Sequence, residues 1–139
     1  MATRDARLET RTPAQVLALV FGVVYLLVGV AGWLVTNDFT GIDDDAHLLG
    51  FHLNGAHNVV HLALGLGWLA ASTRPDWAKL VNAVFGAVLV LVGIVGLTGA
   101  IDELMNIEDA AEPDNYLHLV TGAVALWFGT AGAGARAAA

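Results

Sequence analysis

Two stretches of this chain carry side chains capable of chemistry in unusually apolar surroundings. In GAHNVVHLALG, residues 55–65, His57, Asn58 and His61 fall within five residues of one another. NYLHLVTG, residues 115–122, adds Asn115, His118 and Thr121. Imidazole is the commonest metal ligand and the side chain that exchanges a proton near neutral pH. His57 and His61 are four apart, so on a helix both can reach one metal ion. His61 and His118 could instead be the two axial ligands of a haem held between facing helices. Translocation of protons or small cations is a further chemistry, since ionisable groups inside a membrane mark such routes. The plain alternative is structural, with Asn and His hydrogen-bonding across helices at about 0.6–2 kcal/mol each.

Cysteine chemistry is excluded, and for an enzyme, such as one acting on lipid, nothing in the sequence names a nucleophile. There is no Cys, which removes disulfides, thiolate metal sites and cysteine nucleophiles. No Ser-His-acid arrangement, phosphate loop or dinucleotide fingerprint occurs. Asp43, Asp44 and Asp45 lack the D-x-D-x-D-G pattern of a calcium loop. His47 and His52 fall in a loop and read as solvated. A net charge of −7 gives nucleic acid no basic footprint.

The elements that must position these residues are long and apolar. Apolar residues make up 57 % of the chain, above the roughly 45–50 % of soluble domains. Mean hydropathy is +0.67. Residues 15–36, 52–72, 78–101 and 115–134 form four apolar stretches without internal proline. Each is long enough to supply the ~20 residues that cross a bilayer core. The spacing therefore predicts an all-α integral membrane four-helix bundle, with the lipid bilayer as its first partner. Residues 1–14 form a tail, 15–72 a first hairpin around an acidic loop (37–51), and 78–134 a second around another (102–114).

Charge sets the orientation. Both loops are acidic and contain no Lys or Arg, Asp114 included. All six basic residues lie on the other side, giving +3 there against −10 on the loop side. Positive segments stay in the cytoplasm, so both termini are expected inside a prokaryotic plasma membrane. The first apolar run of about 21 residues exceeds the roughly 7–15 of a cleavable signal core.

The hairpin recurs. FGVVYLLVGVAG (21–32) matches FGAVLVLVGIVG (85–96) at seven of twelve positions, with Gly22, Gly29 and Gly32 in register with Gly86, Gly93 and Gly96. NVVHLALG (58–65) and NYLHLVTG (115–122) share N-x-x-H-L-x-x-G. The offsets are 64 and 57 residues, so the first loop is seven longer. Residues 46–56 are expected to fill that excess as a helical extension or an interfacial helix. The glycines read as close-packing positions. Trp68, Trp77 and Trp127 read as anchors at one interface and Trp33 at the other. Asn54, His57, Asn58 and His61 share one helix face, and Asn115, His118 and Thr121 another, both turned inward. Asn115 can also cap the fourth helix.

The doubled N-x-x-H-L-x-x-G, with FGVVYLLVGVAG before it, resembles a prokaryotic family of four-span membrane proteins labelled domain of unknown function 4383. The likeness spans residues 12–132. It implies four membrane helices and characteristic positions at Asn58, His61, Asn115 and His118, with no assigned activity. The expected function is a non-enzymatic scaffold or accessory subunit, within a homo-oligomer or larger membrane complex and held together by the Asn/His cluster. The alternatives are a metal- or haem-binding protein using His61 and His118 with His57, and proton or cation translocation.

Overall fold

Three prolines set the frame. The computed structural model describes residues 11–43 and 45–130. Residues 1–10 of the expected tail, Asp44, Arg136 and the end of the last span (131–134) lie outside the described residues. Pro13, Pro75 and Pro113 each open a helix, where a missing N–H costs nothing. Thr12 completes the first start. Its hydroxyl accepts from the Gln15 N–H, while the Gln15 side chain accepts from the Thr12 N–H.

The chain is mostly helical: α1 (Pro13–Val35), β1 (His47–Leu48), β2 (Phe51–His52), α2 (Gly55–Ala71), α3 (Pro75–Gly96), α4 (Asp102–Met105) and α5 (Pro113–Gly129). At about 1.5 Å per residue, α1 and α3 reach some 33–35 Å, long enough to cross a bilayer core of about 30 Å. The 17-residue α2 and α5 reach only about 26 Å. The expected span at 52–72 is therefore shorter at both ends. Asn54 stops α2 by capping it, and α5 begins two residues early at Pro113. Glu112 occupies the cap of α5, so Asn115 is not its cap.

Helix α1 packs chiefly on α2, and α3 on α5. Glycine makes both seams possible. Gly22 lies against Leu69, Gly29 against Leu62 and Gly32 against the Asn58 amide. On the other pair Gly86 lies against Leu126, Gly93 against Leu119 and Gly96 against the Asn115 amide. The second set equals the first displaced by 64 residues on one helix and 57 on the other.

The outward faces are aliphatic. Val16, Val20, Leu27 and Leu34 of α1 and Leu80, Leu91 and Ile94 of α3 are exposed, while Asn, His and Gln share the interior with alanine, glycine and a few large apolar residues such as Tyr25, Trp68 and Leu89. A water-soluble domain arranges these the other way round.

Two ends of the bundle differ. At the end nearest the chain termini, polar side chains tie three helices together. Gln15 Nε2 donates to the Ser72 carbonyl at 3.0 Å, Trp68 Nε1 to Asn82 Oδ1 at 2.9 Å, and Asn82 Nδ2 to the Ala14 carbonyl at 3.0 Å. Trp68 is wholly buried, so it is a core residue and not the expected interfacial anchor. Trp33, Trp77 and Trp127 are exposed.

At the loop end, residues 46–56 contain no helical extension before Gly55. Strands β1 and β2 pair antiparallel, His47 with His52 and Leu48 with Phe51. Leu49 (φ 56°) and Gly50 (φ 87°) form the two-residue turn whose positive φ values suit the twist of a hairpin. The acidic loops are also more than solvated linkers. Asn106, in the left-handed region after α4 (φ 55°), donates to the carbonyls of Asp43 and Leu53 and accepts from the Asp43 N–H. One loop thereby binds the other.

Candidate functional site

Where α2 and α5 begin, those loops bring together four side chains, His57, His61, Asp114 and His118. Asn54 Oδ1 accepts from the His57 N–H at 3.0 Å and fixes the first turn of α2. The His57 ring is then oriented by the chain of α4, with Nδ1 3.0 Å from the Met105 carbonyl. A carbonyl oxygen can only accept, so Nδ1 carries the proton and Nε2 presents its lone pair to the interior.

That lone pair meets an acid. His57 Nε2 lies 3.3 Å from Asp114 Oδ2, and His118 Nδ1 lies 3.6 Å from the same oxygen. The first contact is not aligned as a hydrogen bond and the second is too long for one. His61 completes the group. Both of its ring nitrogens are buried without a hydrogen-bond partner, and its ring stands 4.5 Å from that of His57 and 4.9 Å from that of Tyr25. One ring nitrogen from each of His57, His61 and His118 lies within 4.8 Å of the others. A neutral imidazole carries one N–H and one lone pair, so His61 buries both a donor and an acceptor that no described residue satisfies, beside His57 Nε2, His118 Nδ1 and Asp114 Oδ2, which are likewise without a hydrogen-bond partner among the described residues. A buried set of this kind calls for a cation, either protons or a metal ion.

Below the group, towards the terminal end, Tyr25, Phe21, Trp68 and Phe85 form an aromatic floor with centroids 4.9–5.3 Å from Trp68. Above it a cavity of about 160 Å³ runs from Tyr25, His61 and His118 to the β1–β2 hairpin at Leu48 and His52. His52 Nδ1 pairs there with Glu112 Oε1 at 3.1 Å.

The remaining predicted residues lie around this centre. Thr121 lines the cavity, and its hydroxyl is 3.2 Å from Tyr25 Oη and donates to the Leu117 carbonyl at 2.7 Å. Asn54 acts through its cap. Asn58 and Asn115 sit on the glycine seams and do not line the cavity. The Asn58 amide makes no hydrogen bond, and Asn115 Nδ2 donates to the Asp109 carbonyl at 2.7 Å. Hydrogen bonds between elements come from both ends: from the cluster, Asn54 Nδ2 donates to the Gly41 and Glu103 carbonyls at 3.4 Å, His57 to the Met105 carbonyl, and Thr121 meets Tyr25, while the terminal end adds those of Gln15, Trp68 and Asn82. Haem does not fit. About 160 Å³ is well below the ~300–1,000 Å³ of ordinary ligand clefts, and a porphyrin is itself a large ligand.

Asp114 was placed by sequence in a solvated loop, yet it is only 2 % exposed. A signal for it exists. The 57-residue offset that pairs His61 with His118 also pairs His57 with Asp114.

The sequence model of a family described as a domain of unknown function (DUF4383) matches residues 15–131. No curated protein and no solved structure matches the chain.

Proposed function

The chain belongs to the domain of unknown function 4383 family, and from that premise we propose a multi-pass membrane protein that holds one divalent transition-metal ion on His57, His61 and His118. The single observation that carries this reading is His61: a buried imidazole with neither nitrogen satisfied, facing two more ring nitrogens within 4.8 Å. A purely structural scaffold gives His61 nothing to do, because it makes no hydrogen bond to lose.

The aliphatic exterior supports a setting in lipid, with four helices crossing a prokaryotic plasma membrane. The acidic loops then face outward, and both termini lie in the cytoplasm. The seam contacts displaced by 64 and 57 residues support a duplicated hairpin with the site near its pseudo-two-fold axis. Negative charge at the loop end would concentrate cations at the mouth of the cavity. The aromatic floor beneath His61 favours binding over passage through the bundle.

The test is metal loading in detergent. Protein incubated with Zn(II) and dialysed is expected to retain one ion per chain by elemental analysis. His61→Ala should weaken retention at least about tenfold, the lower end of what ligand-supporting groups contribute. A wild-type protein that retains no Zn(II) would overturn the reading.

A further inference from the structure

We propose that Asp114 is the fourth donor of this site, making it a tetrahedral three-imidazole, one-carboxylate centre for a first-row divalent ion such as Zn(II) or Co(II). This rests on the three-histidine reading and adds a ligand that the shared N-x-x-H motif does not contain. Geometry comes first. Metal–nitrogen and metal–oxygen bonds of about 2.0–2.2 Å place the corners of a tetrahedron roughly 3.3–3.6 Å apart. Asp114 Oδ2 stands 3.3 Å from His57 Nε2 and 3.6 Å from His118 Nδ1. Each of the three histidines offers a ring nitrogen within 4.8 Å of the other two, and Asp114 brings its oxygen against two of those rings.

The state of Asp114 agrees. Its side chain is 3 % exposed, and Oδ2 has no hydrogen-bond partner. A carboxyl group in a low-dielectric interior is ionised only with a cation held against it. Charge also favours a fourth, anionic ligand. Three neutral imidazoles would leave a divalent ion with its whole charge buried, whereas one carboxylate halves it. The donor set is imidazole nitrogen and carboxylate oxygen with no sulfur, which suits zinc-class ions over Cu(I). Magnesium and calcium demand mostly oxygen. His57 already has the outer support of a metal ligand, its Nδ1–H donating to the Met105 carbonyl.

The fold places the two halves of the set in matching positions. His61 and His118 occupy one pair of equivalent sites and His57 and Asp114 the other. The pairing of His57 with Asp114 substitutes one imidazole by one carboxylate in an otherwise two-fold arrangement.

Co(II) is the probe. Detergent-purified wild-type protein titrated with Co(II) should develop the intense visible bands of tetrahedral cobalt, bleached by competing Zn(II). Asp114→Asn, nearly isosteric but uncharged, should weaken Co(II) binding by about 10–100-fold and shift those bands. Cd(II) NMR of the unaltered protein guards against a variant that fails to fold, because an oxygen donor moves the resonance away from that of an all-imidazole site. Faint octahedral bands, or an all-nitrogen Cd(II) resonance, would overturn the Asp114 assignment while leaving the histidines. Unchanged affinity and spectrum in a folded Asp114→Asn would do the same. A wild-type protein that binds neither ion overturns both readings.

Discussion

Adding one methyl group to Gly86 should separate two helices. A Cβ at Gly86 would stand 2.6 Å from the backbone nitrogen of Leu126 and 2.8 Å from the Gly122 carbonyl. Ordinary contact begins near 3.4 Å, so α3 and α5 must part by about 0.8 Å, and a backbone atom has no rotamer by which to yield. A gap of 0.5–1 Å forfeits a quarter to a half of each dispersion contact along the seam. That seam has little else to hold it, because in lipid helix association depends on packing. Overpacking of this kind costs about 1–3 kcal/mol, and the better helix propensity of alanine returns at most about 1. The expected net loss is about 1–2 kcal/mol. The assay is reversible unfolding in mixed detergent, followed by tryptophan fluorescence. Gly22→Ala, whose Cβ would lie 2.8 Å from the Leu69 backbone nitrogen, should lose a similar amount. Gly67→Ala meets only the far edge of the Phe85 ring, at 2.7 Å, and should cost distinctly less. If Gly86→Ala unfolds with wild-type energetics, or if Gly67→Ala is the worse of the two, the close-packed seam is not what holds the pairs together.

Two further predictions test the ends of the bundle. Asn82→Ala strands the buried Trp68 indole N–H and removes the bond to the Ala14 carbonyl, which keeps its helical partner; the orphaned indole costs about 1–3 kcal/mol, so Asn82→Ala should unfold well before His61→Ala when metal is chelated, and equal stabilities would contradict the part given to Asn82 at the terminal end. The chain has no cysteine, so single substitutions report topology directly. In intact cells Leu49→Cys, at the exposed tip of the β1–β2 hairpin, should react with an impermeant maleimide and Trp77→Cys should not; the reverse pattern would invert the orientation.

The fold was legible where periodicity and punctuation act locally. Glycines at 22, 29 and 32 and again at 86, 93 and 96 announce helix seams, because only a missing Cβ lets two backbones approach this closely. Helix starts were less legible, although Pro13, Pro75 and Pro113 mark them, since apolar length alone says nothing of where the first turn begins. The loop end was misread for a different reason. Leu49 at positive φ is a poor turn residue, so no local signal announces the hairpin. It is held by its neighbours instead: the Leu53 N–H donates to the Ala46 carbonyl, and the Leu53 carbonyl accepts from Asn106, 53 residues away.

The candidate site was half legible for a related reason. Histidines in an apolar helix stand out by type, and their spacing alone indicates that His57 and His61 share a face. An acid beside a run of acids does not stand out. Asp114 follows Glu108, Asp109 and Glu112, and composition assigns all four to solvent. What separates it is its place within the helix. Pro113 opens α5, so Asp114 falls in the first turn, four residues before His118 and one turn above it on the same face. His57 stands at the same height on α2, four residues before His61. A polar residue two helical positions into a span is therefore set by the helix start and not by its charged neighbours. Locating that start at proline converts an acidic loop residue into an interior one, and with it a cluster of three imidazoles into a group of three imidazoles and one carboxyl.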